Sequence, residues 1–413
     1  MAQTGIHSAG FQITVNGQGL GAEDLVRVKD FQITQQVNAT GDLSLSYDMS
    51  NLSDGEWHGD GGPFQLADRI EVIFGFDQTV VFEGFIVSIG VQFGDDAILT
   101  VNANDPLFPL QSGSMSRSFR FMSDAMIIEA VALEAGIACQ IEPISMLHEF
   151  VFQDNMSDFA FIADRAKKNL YDFIYRDGAL QVYRALLDAV LDNAEGAQNQ
   201  VLRYKLEFDS FNATIQSPEF GTAVIVQGYD PAQAIPVIGI YGANLDATLT
   251  AGLKAELLAA AQLGLAAAVQ PGAAPEIAGT LADITAEIAI AEVEALALQS
   301  EFSGLNAVTN VSSKLNLESP IYIREPSVSS QLEAEALAVA KYYELLQPVI
   351  DGGGGGIGNA ELKAGTYITL EGLGKQYSGA YYVKSVTHNF DFQRGFTTQF
   401  SVTRRWYEQT LLS

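Results

Sequence analysis

Cysteine is nearly absent: Cys139 is the one thiol in 413 residues, so no disulfide can form within the chain. Histidine is scarce as well. Four scattered residues, His7, His58, His148 and His388, with a single cysteine, cannot supply the Cys/His spacing of a zinc cluster, and no metal or cofactor site is expected. Basic residues are few: 22 Lys+Arg stand against 50 Asp+Glu, a formal charge of −28. A surface of that sign repels the phosphates that a nucleic-acid groove has to neutralise. The amino end, Met1-Ala2-Gln3-Thr4-Gly5-Ile6-His7, lacks the basic start and apolar stretch of a secretory leader, which predicts folding in the cytoplasm.

Apolar residues are plentiful, at 48%, with 10% aromatic, and this excludes a disordered chain. The length suits two or three domains with sizeable cores. Residues 11–110 read as β throughout, with alternating runs such as Phe11-Gln12-Ile13-Thr14-Val15 and Leu43-Ser44-Leu45-Ser46-Tyr47 between Gly and Asn/Asp turns. The segments 69–74, 80–82, 85–89 and 98–101 predict further strands joined by tight hairpins, with a bulge at Gly84. An antiparallel barrel or sandwich is implied.

From about residue 114 the period changes. Ser123 is placed to cap a helix bearing Ile127, Ile128, Val131 and Leu133, and Gly136 to stop it. A second helix is predicted after Ser157, then a hairpin around Asp177-Gly178, making a small α/β domain. Strands resume at 204–208 and 223–229, and again from 364 to 406. Between them, residues 245–302 are almost all Ala, Leu, Ile, Glu and Asp. A Pro271-Gly272 to Pro275 break there predicts a helical hairpin, whose Ile277, Leu281, Ile284, Ile288, Ala291, Ala295 and Leu298 form a heptad seam. Phe82 to Ile89 and Tyr377 to Val386 share an aromatic, a Gly two residues on, then apolar-x-Ser-apolar, which suggests an internal duplication.

Candidate chemistry is thin. Acidic pairs such as Asp95-Asp96 and Glu292 with Glu294 are inevitable among 50 acids and do not make a glycosidase dyad. His148-Glu149 opens like a zincin motif but continues Phe150-Val151-Phe152 with no second His. The run Gly352 to Gly356 lacks the Lys-Ser/Thr of a phosphate loop and reads as a flexible tether after a helix at 332–346. Cys139 has no neighbouring base and reads as a small apolar group. The Ala-rich stretch 251–269 contains Lys254, Glu256 and Gln262 and does not suit a membrane. No catalytic residue is expected.

Three segments together carry a resemblance. The first is Phe82 to Ile89 with Leu99 to Asp105 and Ser114 to Phe119. The second is Gln153 to Ile162 with Tyr171 to Tyr175 and Asp177 to Leu180. The third is Gly379 to His388 with Phe396 to Phe400. In this order they resemble the phage late-control D family, baseplate hub proteins of contractile tails related to the hub part of VgrG spikes in type VI secretion and contractile injection systems.

The resemblance implies a mainly β, α+β protein. A first tail-tube-like β-barrel spans 1–113 and a small α/β domain 114–203. A second tube-like barrel at 204–413 is interrupted by the 245–302 helical hairpin and the 351–358 Gly-rich tether. It implies a structural, non-enzymatic hub in a virion tail baseplate or injection particle, assembled in the bacterial cytoplasm without stable membrane insertion. Homotrimers would join the sixfold tail tube to a threefold spike and line a channel through which DNA or cargo passes without specific binding. The implied partners are the tube or tube-initiator protein, the baseplate wedge proteins and a spike. VgrG-type relatives continue into an OB-fold and needle, whereas this sequence stops at Ser413, so the spike is expected to be a separate protein contacting Arg404, Arg405, Trp406 and Tyr407. The competing readings are a carbohydrate- or receptor-binding virion protein, for which only Trp57 and Trp406 are on hand, and a cell-wall hydrolase, which would need an acid pair in a cleft.

Overall fold

The computed structural model describes residues 10–50, 62–75, 79–94, 96–144, 147–169, 171–184, 200–215, 224–230, 235–241, 321–324, 328, 331–345 and 350–404. These are mostly β. Alternating sequences give alternating faces: along β4 (Asp42–Asp48) Leu43, Leu45 and Tyr47 are buried while the residues between them are half-exposed. The first half of the main sheet contains β1 (Phe11–Val15), β2 (Gln18–Gly19), β3 (Val28–Gln36), β4, β5 (Arg69–Phe74), β6 (Thr79–Phe93) and β7 (Ala97–Asn104), with a short helix, α1 (Ala22–Leu25), after β2. Asn16 and Gly17 both have positive φ, as the tight β1–β2 hairpin requires. The order across the sheet is β3-β4-β7-β6-β5-β1-β2.

The chain then builds a middle domain from β8 (Met115–Ser123), α2 (Asp124–Glu134), β9 (Cys139–Ile141), β10 (Leu147–Met156), α3 (Asp158–Lys168), β11 (Asp172–Arg176) and β12 (Ala179–Tyr183). The predicted caps are in place: the Ser123 and Ser157 hydroxyls accept from the N–H groups of Met126 and Ala160. Asp177 and Gly178, both with positive φ, turn the β11–β12 hairpin.

The main sheet resumes with β13 (Gln200–Arg203) and β14 (Phe208–Ile215). A third unit follows: β15 (Val224–Asp230), β16 (Ile235–Tyr241), β17 (Ile321–Arg324) and α4 (Gln331–Leu345). The chain then returns through β18 (Ile350–Ile357), β19 (Tyr367–Glu371), α5 (Gly374–Tyr377), β20 (Gly379–Asp391) and β21 (Gly395–Arg404).

The second half of the sheet runs β14-β18-β21-β20-β19-β13, which repeats β3-β4-β7-β6-β5-β1 strand for strand and in the same chain order. The registers repeat as well. Ladder bulges fall at Lys29 and at Asp209 in the first equivalent pair, and at Val87 and at Lys384, each just before the shared serine, in another. One difference is that β1 is antiparallel to β5 whereas β13 is parallel to β19. The halves join in a single 13-stranded sheet through an antiparallel β3–β20 ladder, Gln36 opposite Ser385 to Asp30 opposite Asp391.

Each half has its own core. In the first, Phe11 on β1 and Phe31 on β3 lie at opposite ends of the strand order, yet their rings are 5.2 Å apart, so the sheet curls round its filling. The second is built around Ile350, Leu370, Tyr381, Val386 and Phe400.

Three expectations are corrected. Gly352–Gly356 is not a tether but lies within β18, paired to β14 on one side and β21 on the other. Glycine is required there because a Cβ on Gly354 would lie 2.7 Å from the Phe400 ring and one on Gly356 2.5 Å from the backbone of Glu207 and Phe208. Gly84 is not bulged; it sits in register opposite Ile70, and the carbonyl oxygen of Asn104 lies 2.2 Å from where its Cβ would be. The two strands expected at 80–82 and 85–89 are one, β6. The predicted helical hairpin, 245–302, lies outside the described residues. Its flanks belong to the third unit: Tyr241 and Ile321 both pair with Val224, one on each side of it.

Candidate functional site

Three buried polar or charged side chains, Asp124, His148 and Arg165, lie together where the middle domain meets α4. Asp124 opens α2, His148 is on β10, Arg165 and Asn169 are on and after α3, and Glu333 is in the first turn of α4. His148 Nε2 lies 3.0 Å from Asp124 Oδ2, and its Nδ1 lies 3.8 Å from Glu333 Oε1. Asn169 donates to Asp124 Oδ2 at 2.7 Å, and Arg165 Nη1 lies 3.3 Å from Asp124 Oδ1. Burial alone would raise the Asp124 carboxyl, but the His148 hydrogen bond, the Arg165 charge and Asn169 together hold it below the usual carboxylate range. The space between these groups is about 20 Å³, room for one water. The cluster is a clasp between two units.

A second junction ties the middle domain to both halves of the sheet. Tyr382 on β20 donates to Asp172 Oδ2 at 2.9 Å and meets the Tyr183 hydroxyl at 3.0 Å, while Asn38 donates to Asp172 Oδ1 at 2.7 Å. Burial pushes the Tyr183 phenol up to about 12 and Tyr382 well above its ordinary value, so both remain protonated donors. Cys139 is half-buried, and its thiol is pushed up to about 11, first by burial and then by Glu129; it is not an activated nucleophile.

A family model described as the Alg8 N-terminal domain, Alg8_N, matches residues 6–261, more than half of the chain. The chain belongs to this family. Its name is not that of the late-control D family which the sequence resembles. No curated protein matches. Among solved structures the chain is similar to the 43 kDa tail protein of prophage MuSo2 from Shewanella oneidensis, with a TM-score of 0.62, 11% identity, and coverage of 96% of this chain and 99% of the other. A tail protein from Neisseria meningitidis MC58 gives a TM-score of 0.60 at 10% identity, covering 96% and 97%. The E. coli c3393 protein, a component of the type VI secretion system, gives 0.53 at 10% identity, covering 96% of this chain and 77% of its own. The fold is shared with these tail proteins and this secretion-system component.

Of the four residues expected to meet a spike, Arg404 ends β21, and its guanidinium is already engaged. It donates to the Ser378 carbonyl at 2.9 Å and lies over the Tyr381 ring at 5.7 Å. Arg405, Trp406 and Tyr407 lie outside the described residues, as do Trp57, Asp95, Glu292 and Glu294. Sequence reasoning missed the clasp. Its members are spread from residue 124 to 333, and only the burial of Asp124, His148 and Arg165 marks it. Among the described residues, no helix is long and apolar enough to cross a membrane.

Proposed function

We propose that this chain is the structural hub of a contractile tail baseplate, in a phage or a phage-derived injection system. The observation that carries this reading is the fold, which matches two tail proteins, one of them from a prophage, over nearly the whole of both partners. The repeated strand order supports the rest. Each chain then supplies two tube-like barrels, and three chains present six to a sixfold tube while offering threefold symmetry to a spike. The hub does no chemistry: it nucleates the tube, contacts the tube-initiator and wedge proteins, and lines the channel. With a net charge of −28, an acidic channel wall would pass DNA or cargo without retaining it.

Light scattering of the chain with its spike should give three 44.4 kDa subunits, about 133 kDa, plus the spike's mass. A stable two- or fourfold assembly overturns the reading. The spike is assigned to the carboxyl end beyond β21, at Arg405, Trp406 and Tyr407 beside the engaged Arg404. Arg405→Glu combined with Trp406→Ala should abolish pull-down of the spike by a folded hub, and unchanged binding moves the spike elsewhere.

A further inference from the structure

The third unit is an insertion with a narrow neck. Ile215, the last residue of β14, and Ile350, the first of β18, stand on either side of it in the chain and are paired neighbours in the main sheet. Its far side meets the middle domain, where α4 lies against α3. Glu333 faces His148 there, and the apolar Val328 and Leu337 line the same gap. The clasp therefore bears on how firmly the unit is seated.

The clasp is built on one imidazole between two carboxylates. His148 is buried, and its ring nitrogens face different units: Nε2 lies 3.0 Å from Asp124 Oδ2 inside the middle domain, and Nδ1 lies 3.8 Å from Glu333 Oε1 across the junction. A neutral imidazole has one ring proton, so one of these oxygens would face a lone pair. Only the imidazolium attracts both. The Asp124 contact is the shorter, and a single remaining proton stays on that side, so the Glu333 contact is the one that fails. No neighbouring cation replaces the lost charge. Arg165 is turned to Asp124 at 3.3 Å, and Lys168 to Asp164 at 3.1 Å. On β8 the residue opposite His148 is Met122, while Arg117 and Arg120 stand opposite Gln153 and Phe150. Of the nearby acids, Glu149 is exposed, and Glu335 lies about 200° round α4 from Glu333. Asp124 Oδ1 and Arg165 Nε are buried without a hydrogen-bond partner. Opening would give both atoms water, which sets the closed junction near balance.

We infer that the clasp is a proton-operated latch: with both ring nitrogens of His148 protonated it holds Glu333 and seats the third unit on the middle domain, and loss of one proton lets α4 lift from α3 and the unit turn on its neck. Closure is favoured by the doubly protonated ring, so it is full at low pH and is lost as pH rises through the range in which histidine deprotonates. One linked proton changes the opening equilibrium by up to about tenfold per pH unit. The latch is internal to one chain and stands whether or not the chain is a hub.

The test is a spin-label distance in the full chain carrying Cys139→Ser, with labels on two exposed positions, Leu133→Cys on α2 and Tyr322→Cys on β17. A second pair, Leu133→Cys with Ile357→Cys on β18, reports the middle domain against the main sheet. At about pH 5.5 the first pair should give one narrow distance, and at about pH 8.5 a second, longer one should grow several-fold. The reference pair should not change. Glu333→Gln supplies a neutral amide that can donate to Nδ1 or accept from it, so this variant should stay closed at both pH values. His148→Gln has no ring to titrate and should lose the pH response. A distribution that is the same at both pH values in the parent overturns the latch. So does a pH response that survives in Glu333→Gln or His148→Gln, since another group would then be its source. Movement of the reference pair with pH overturns it too, because the change would belong to the whole fold.

Discussion

In the first half of the sheet β4 faces the core with Leu43, Leu45 and Tyr47; at the equivalent positions of the second half β18 has Gly352, Gly354 and Gly356. The backbone path is the same, but the volume comes from different strands. Where β4 supplies its own side chains, β18 yields the space to the rings of Phe211 and Phe400 and to the backbone of Glu207 and Phe208 on the strands beside it. A duplicated fold thus conserves where the chain runs. It does not conserve which strand fills the core.

The largest effects should come from exchanging the two solutions. Gly356→Val forces a branched side chain into backbone atoms that have no way to yield, and should cost about 3 kcal/mol or more in urea unfolding. Tyr47→Ala opens a cavity and removes the 2.8 Å hydrogen bond to Asp24, at a cost of about 3–5 kcal/mol. Gly354→Ala and Phe400→Ala should each destabilise, but the double variant should be less unstable than their sum, because removing the ring makes room for the added methyl. Strict additivity would break the idea of exchanged volume.

Next in size is pH. The first half buries Asp105 beside β7, with its carboxylate accepting from Gly41 N–H at 2.6 Å and Leu107 N–H at 2.9 Å; burial pushes it up to about 7 despite those donors. The second half buries His388, 3.0 Å from the Thr398 hydroxyl and pushed down by burial to about 4. The signs are opposite. The fold favours protonated Asp105, so its contribution is full below the unfolded value of about 3.9 and is lost as pH rises through 7. The fold favours neutral His388, so its contribution is full above about 6.5 and is lost as pH falls through 4. Between these limits the two slopes, each about 1.4 kcal/mol per pH unit, nearly cancel. Removing either should uncover the other. From pH 4.5 to 6.5, His388→Gln should lose about 2–3 kcal/mol of stability and Asp105→Asn should gain as much, while the parent changes little. Parallel pH profiles for both variants would sink the assignment.

The smallest effect concerns the detour. Residues 37–41 link β3 to β4 directly, whereas the equivalent β14–β18 link carries the whole third unit, although Ile215 and Ile350 are paired neighbours. Within that unit, residues 242–320 leave and return on either side of Val224, at points about 10 Å apart. Replacing 242–320 by a short Gly/Ser linker should change the unfolding free energy of the sheet by about 0.5 kcal/mol or less. A collapse of the ladder signals in hydrogen exchange would make the segment part of the core.

Much of this was legible locally. The Ser123 and Ser157 caps, the Asp177-Gly178 hairpin and the alternation of β4 depend on residues a few positions apart, and the sequence pattern carries them. The glycine strand was not legible, because glycine has no side chain to show a period and its reason lies in Phe208 and Phe400, far away in the chain. The shared apolar-x-Ser motif hinted at the duplication, but its extent appears only in the pairings, since equivalent positions hold residues as unlike as Tyr47 and Gly356. The clasp was invisible because neither the sequence around His148 nor that around Glu333 refers to the other.

The β3–β20 ladder also has a mechanical meaning. The two halves share a row of backbone hydrogen bonds from Asp30 to Gln36, so a thrust on one half reaches the other as shear along strands rather than as tension in a linker. Slipping by one residue would turn Phe31 and Ile33 away from their cores, so the row can yield only in two-residue steps that break every pair at once.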